Sequence, residues 1–80
     1  MSQEAHSRRR AAAAADEIER IGSRVRRQLG GRLRDFRVEA GDGGVVLRGR
    51  ARTYSVKQLA QHAVMKATAL PVLGNEIEVS

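Results

Sequence analysis

The sequence predicts a two-layer α/β sandwich, an α+β fold in which both helices pack on one face of a three-stranded sheet in the order αββαβ. Three observations predict it. Two segments repeat apolar residues at helical spacing, and three shorter segments alternate apolar with polar residues. Glycine or proline separates most of these segments. A chain of 80 residues has room for one small domain with a single core.

The first helix is predicted over residues 11–29, and Gly30-Gly31 ends it. Its apolar residues fall on one narrow stripe, which is Ile18, Ile21, Val25 and Leu29. The preceding segment, MSQEAHSRRR, is polar and has no period. It is predicted to be a disordered basic tail, residues 1–10, so that residues 11–80 form the single domain.

Two strands joined by a glycine-rich loop are predicted next. The first strand, residues 33–40, places Phe36 on its buried side and charged residues on the other. The loop GDGG, residues 41–44, is rich in residues that tolerate positive φ. In the second strand, residues 45–52, apolar and basic residues have opposite parity. Gly49 within it indicates close packing against a helix.

The second helix is predicted to begin with a capping box, in which Ser55 is the N-cap and Gln58 is the third helical residue. Tyr54 and Leu59 would then form a hydrophobic staple. The helix is expected to run to about Thr68. Its buried stripe is predicted to consist of Val56, Leu59, Ala60, Ala63, Ala67 and Leu70.

Pro71 ends this helix, and a last strand is predicted over residues 73–79. Its apolar residues, Leu73, Ile77 and Val79, alternate with glutamates. One face of the sheet is therefore expected to be apolar and covered by the helices. The other face is expected to be charged and open to water.

Three segments resemble the BON family, named for bacterial osmotic-stress and nodulation proteins. The hairpin GGVVLRGRA, the capped helix SVKQLAQHAV and the ending LGNEIEV carry the resemblance, which covers residues 18–79. The chain departs from the family at Ala69-Leu70-Pro71, where a glycine and a valine are usual. The resemblance implies a non-enzymatic αββαβ module that binds phospholipid surfaces and occurs in membrane-associated or stress-related proteins.

The composition is basic and free of cysteine. Fifteen Lys and Arg against nine Asp and Glu give a net charge of +6, which favours anionic partners. The absence of cysteine excludes disulfides and thiolate metal sites, and no segment is apolar enough to span a bilayer. The alanine run after Arg8–Arg10 is too short for an export signal. A cytoplasmic location is expected for the chain as given, and an envelope location if it is part of a longer exported chain.

Arg48, Arg50 and Arg52 share one parity of the second strand, which predicts a row of guanidinium groups on the open sheet face. Guanidinium groups bind phosphate groups well, so this row is a candidate anion or lipid site. The alternative is cross-strand ion pairing with outward-facing carboxylates of the neighbouring strands. These carboxylates are Glu39, Glu76 and Glu78.

The outer face of the first helix is a second candidate lipid site, formed by Arg20, Arg24 and Arg27 after the run Arg8–Arg10. The apolar stripe of this helix is needed for the core, and no Trp or Phe is placed to insert into a bilayer. Lipid contact would therefore be electrostatic and sensitive to salt. The alternative is a helix face that is only solvated.

The remaining candidate sites have fewer residues that point to a particular ligand. His62 and Met65 are predicted to face outward from the second helix as a protein-interaction face, and exposed strand edges would serve self-association. Specific nucleic-acid recognition is not expected, because no aromatic residue has the exposed sheet parity. No catalytic, cofactor or metal site is predicted.

We therefore expect a non-enzymatic module that binds anionic phospholipid surfaces through its arginine patches. A protein-interaction or self-association module is the alternative. Charge-driven, non-specific nucleic-acid binding is the third hypothesis.

Overall fold

The computed structural model describes the backbone of residues 2–80 and the side chains of residues 15–80. The elements are α1 (Ser2–Leu29), a 3-10 turn (Gly30–Arg32), β1 (Leu33–Gly41), β2 (Gly44–Ala51), α2 (Tyr54–Ala67) and β3 (Val72–Val79). The predicted α+β sandwich of order αββαβ is thereby confirmed. α1 begins at Ser2, within the segment predicted as a tail, residues 1–10. The side chains of that segment lie outside the described ones, and the division of the chain at residue 11 stays a prediction.

The sheet is mixed, with the strand order β1-β2-β3. β1 and β2 are antiparallel and are joined by the two-residue turn Asp42-Gly43, in which Gly43 has φ 84°. β2 and β3 are parallel, because α2 carries the chain back along the sheet between them. Gly41 and Gly44, predicted as loop residues, pair with each other at the ends of the two strands.

The core lies between the helices and one face of the sheet. α1 packs on β1 and on α2, and α2 packs on β2 and β3. Phe36 is the one aromatic residue among the buried side chains described, and the rest of the core is aliphatic. Its buried residues are Ile21, Val25, Leu29, Leu33, Phe36, Val45, Leu47, Ala51, Val56, Ala60, Val64 and Ile77. This set confirms the predicted alternation of β2 and three residues of the predicted stripe of the first helix, and the fourth, Ile18, is partly buried against the core.

A β-bulge interrupts β1, and the simple alternation predicted for that strand is wrong at its start. The pairing with β2 shifts between Arg34 and Arg37, so that Asp35 and Phe36 together oppose Gly49. Asp35 has φ 52°. The extra residue lets Leu33 and Phe36, three positions apart, both point into the core.

Gly49 is required by the bulge and not by a helix, which corrects the predicted reason for this glycine. Its φ is 149°, and a Cβ at this position would lie 3.0 Å from both the Arg34 carbonyl oxygen and the Phe36 Cα. The guanidinium group of Arg26 on α1 reaches the same place, donating a hydrogen bond of 2.9 Å to the Phe36 carbonyl oxygen. The bulge therefore contacts Gly49 of β2 and is also hydrogen-bonded by Arg26 of α1.

The start of α2 differs from the predicted capping box. Thr53 is the N-cap, and its hydroxyl oxygen accepts a hydrogen bond of 3.2 Å from the Val56 amide. Because the helix begins two residues earlier than a Ser55 cap would place it, Ser55 lies inside its first turn. The predicted staple is also wrong, since Tyr54 and Leu59 are both exposed.

The buried stripe of α2 agrees with the prediction except at two positions, and Ala63, Ala67 and Leu70 are partly buried against the core, as predicted. Leu59 is 45% exposed, whereas Val64, which was not predicted to be in the core, is fully buried. Val56 and Ala60 complete the buried face, as predicted. The α2 stripe therefore faces β2 and β3 through smaller side chains than expected.

Only Ile77 of the three apolar residues predicted to be buried in the last strand is buried. Leu73 is 50% exposed, because a register shift next to the Val45–Val72 pair takes it out of the alternation. It lies instead over the hairpin, where a Cβ on Gly44 would be 2.9 Å from the Leu73 Cγ. Val79 is 45% exposed because it ends an edge strand.

Candidate functional site

The predicted arginine row is shorter than the sequence indicated. Arg48 and Arg50 lie on the open face of β2, but the strand ends at Ala51 and Arg52 follows it in a bend. The row on the sheet face therefore has two members. Arg52 lies at the end of the sheet opposite the hairpin.

Arg48 is held between two carboxylates of the flanking strands. Its Nε lies 2.6 Å from Glu39 Oε1 on β1, and its Nη1 lies 3.3 Å from Glu76 Oε1 on β3. The second oxygen of Glu39 lies 3.2 Å from Arg37 Nε. The cross-strand pairing that the sequence offered as an alternative is therefore confirmed for Arg48.

The ionisation of this group of side chains follows from the pairing. The hydrogen bond from Arg48, together with the charges of Arg48 and Arg37, lowers the pKa of Glu39. The hydrogen bond to Glu39 and the charges of Glu76 and Glu39 raise the pKa of Arg48. Arg48 therefore stays charged, and the two carboxylates balance its charge at the centre of the sheet face.

Arg50 is paired much more loosely. Its Nε lies 3.9 Å from Glu78 Oε2, and both side chains are largely exposed, so solvent screens the pair. On the neighbouring strand β1, Arg34 lies directly opposite Arg50 in the register. Arg50 thus has one distant carboxylate and one neighbouring guanidinium group.

A shallow depression at this end of the sheet joins basic residues from four segments. It is lined by Arg32 of the 3-10 turn, Arg34 and Asp35 of β1, Arg50 and Ala51 of β2, Arg52 and Ser80. Arg32 and Arg34 were missed by the sequence reasoning. For Arg34 the bulge is the cause, since it gives this residue the same face as Arg50 although simple alternation assigned it to the buried side.

The predicted basic patch on the first helix is present on the solvent side of α1. Arg20, Arg24 and Arg27 are all exposed and line one continuous groove along the helix with Glu19 and Ser23. Within residues 15–80, whose side chains are described, no ion pair involves these three arginines. We call this surface the α1 basic face.

His62 and Met65 are exposed on α2, as predicted. Met65 is 58% exposed and lines a shallow groove with Leu70, Pro71 and Val72 at the end of the helix. His62 does not line that groove. The structure therefore places the two residues on the same helix without joining them in one pocket.

Asn75 has a structural role that the sequence analysis did not assign. Its amide nitrogen donates to the Lys57 carbonyl oxygen at 3.1 Å and to Gln61 Oε1 at 3.2 Å, and its oxygen accepts from the Ile77 amide. These bonds tie α2 to β3. The sequence LGNEIEV contained a signal for this role, because a polar residue such as asparagine at a helix-facing strand position needs hydrogen-bond partners.

Comparison with known proteins found no match among protein-family models, curated protein sequences or solved structures. Among the residues that the structure describes, no helix combines the length and the apolar character needed to cross a bilayer. In the same part of the chain, no three His, Asp or Glu side chains converge as metal ligands would.

Proposed function

We propose that this domain is a non-enzymatic module that binds anionic phospholipid surfaces through the α1 basic face. One observation carries the proposal. Three exposed arginines of one helix face lack ion-pair partners among the described side chains, whereas Arg48 at the centre of the sheet is neutralised by two glutamates. The αββαβ order, which the resemblance to the BON family also implies, supports the same proposal.

The binding is electrostatic. Ile21 and Val25 of α1 are buried in the core, so they are not available to enter the bilayer. Each basic residue near an anionic membrane surface contributes about 1 kcal/mol, and salt screens the attraction within about a Debye length. Arg48, predicted as a lipid-binding residue, is a secondary candidate because two glutamates pair with it. Arg50, also predicted, lies on the sheet face away from α1 with only a loose pair to Glu78.

The test is co-sedimentation with vesicles of anionic or neutral phospholipid over a range of salt concentrations. We expect binding only to anionic vesicles, and release at high salt. The double variant Arg24→Gln/Arg27→Gln is expected to weaken binding by roughly 30-fold, from about 1 kcal/mol per arginine. Lys57→Gln/Lys66→Gln on α2 removes the same charge elsewhere and is the matched control.

Equal losses in the two double variants would show that net charge alone, and not the α1 basic face, governs binding. Absence of binding to anionic vesicles at low salt would contradict the proposed function. An oligonucleotide that displaces the protein from vesicles would favour the charge-driven nucleic-acid hypothesis instead.

Self-association is the second candidate function, and exposed apolar residues favour it. β1 and β3 are both edge strands, and β3 exposes Leu73 and Val79. On α2, Leu59 and Met65 are exposed as well. Sedimentation velocity over a concentration series tests this candidate. Val79→Lys would abolish a dimer built on the β3 edge and Met65→Lys one built on α2, and a monomer at every concentration would refute both.

A further inference from the structure

The end of the sheet opposite the hairpin carries a concentration of arginines that the fold does not neutralise. Arg34 on β1 and Arg50 on β2 are directly opposite each other in the antiparallel register. Side chains in such positions are about 5 Å apart at Cβ, and like charges there are destabilising. Arg32 and Arg52 line the same depression. We call these four residues the arginine cluster.

The neighbouring like-charge pair shows how the fold neutralises such an arrangement elsewhere. Arg37 and Arg48 are also directly opposite each other, but Glu39 binds both, at 3.2 Å and 2.6 Å. No equivalent carboxylate joins Arg34 to Arg50. Among the described side chains, Arg34 has no ion pair, and Arg50 has only Glu78 at 3.9 Å.

The backbone holds the arginine cluster in place before any ligand arrives. The bulge, with Asp35 at φ 52°, is what gives Arg34 the same face as Arg50. Arg32 is fixed by a hydrogen bond of 3.3 Å from its Nε to the Leu29 carbonyl oxygen, which leaves its two terminal nitrogens free for other acceptors. Such preorganisation lowers the entropic cost of binding.

We propose that the arginine cluster binds a phosphomonoester group. The four arginines outnumber the carboxylates near them, which are those of Asp35 and Glu78 and the terminal carboxylate of Ser80 in the 80-residue chain. A phosphomonoester carries about −1.5 to −2 charges near pH 7 and three acceptor oxygens, whereas a phosphodiester carries a single charge. Guanidinium groups bind phosphate oxygens bidentately. The cluster shares no residue with the α1 basic face and does not depend on the proposed function.

The test is an NMR titration of the full chain with inorganic phosphate at constant ionic strength, following the Nε–H signals of the arginines. We expect saturable shifts of Arg34, Arg50 and Arg52, with little change at Arg24. Arg34→Gln is expected to weaken phosphate binding about tenfold, as loss of a charge-assisted hydrogen bond does. The same variant is expected to raise the melting temperature in chloride by about 2–4 °C, because it removes the like-charge pair.

A second arm of the test distinguishes a lipid headgroup from a soluble phosphate. Vesicles containing phosphatidic acid present a phosphomonoester, and vesicles of phosphatidylglycerol at equal surface charge present a phosphodiester. A preference for phosphatidic acid that Arg34→Gln abolishes assigns the site to a headgroup. Phosphate shifts without that preference assign it to a soluble phosphomonoester.

Arg24→Gln/Arg27→Gln separates this site from the proposed function. This double variant is expected to lose binding to phosphatidylglycerol vesicles and to keep the phosphate-induced shifts. The proposal is overturned if phosphate shifts no arginine of the cluster, or if Arg34→Gln and Arg24→Gln/Arg27→Gln weaken the shifts equally.

Discussion

At Gly49 the absence of a side chain decides whether the first two strands pair correctly. A Cβ there would lie 3.0 Å from backbone atoms of Arg34 and Phe36, and neither atom belongs to a flexible side chain. The positive φ of 149° adds strain for any other residue. The bulge therefore forms only because Gly49 has no Cβ, and the bulge in turn places Arg34 on the open face of the sheet.

Gly49→Ala is therefore expected to lower the free energy of unfolding by roughly 2–4 kcal/mol, from steric overlap and backbone strain. Urea denaturation followed by circular dichroism measures it. Gly31→Ala is the control, because nothing lies within 4 Å of a Cβ at that position. It is expected to change the stability by less than about 0.5 kcal/mol. Similar losses in the two variants would show that the bulge does not need Gly49.

Glu39 makes the stability of the protein depend on pH. Its pKa is lowered in the folded state, so it stabilises the fold above its unfolded pKa, and this contribution is lost as the pH falls through the folded pKa. We expect the melting temperature to fall more steeply between about pH 5 and pH 3 in the wild type than in Glu39→Gln. Parallel curves for the wild type and Glu39→Gln would contradict this assignment.

Among the elements, α2 shows how one polar side chain sets where a helix begins. Thr53 has extended backbone angles and its hydroxyl accepts the Val56 amide hydrogen bond, so the helix begins at Tyr54. In the sequence alone, Ser55 fits the pattern of an N-cap equally well. The two candidates differ by their tertiary setting, which exposes Tyr54 and buries Val56.

Thr53→Ala is expected to lower the free energy of unfolding by about 1 kcal/mol, because an amide of the first turn loses its acceptor. Ser55→Ala is expected to cost less than about 0.5 kcal/mol, since its side chain is exposed. Thermal denaturation of the two variants measures the difference. A larger loss from Ser55→Ala would restore the capping box that the sequence predicted.

For the whole molecule, local patterns were sufficient to predict the fold. Helical spacing and alternation depend on neighbours in the chain, and they predicted the element order, the α1 stripe and the buried parity of β2. The bulge was not predictable in this way, because it depends on the neighbouring strand, where a Cβ at Gly49 would lie 3.0 Å from backbone atoms of Arg34 and Phe36. The exposure of Leu73 likewise depends on the register between β2 and β3.

The candidate sites follow the same division. Matching parity predicted that Glu39 and Glu76 could pair with Arg48, but only the register shows that they do. Arg34 could not be placed without the bulge, so the arginine cluster was not foreseen. The exposure of Arg20, Arg24 and Arg27 on α1 was predicted, because it depends on one helix alone, and the contribution of Arg8–Arg10 lies outside the described side chains.

The contact of Leu73 with the hairpin has a consequence for the order of folding. Hairpins are local structures that can form early. Here, however, Gly41 and Gly44 of the hairpin are covered by Leu73 of the last strand. The Val45 amide also donates to the Pro71 carbonyl oxygen at 2.9 Å. The first two strands thus acquire their final environment only when the last strand docks, so we expect the domain to unfold in one cooperative transition.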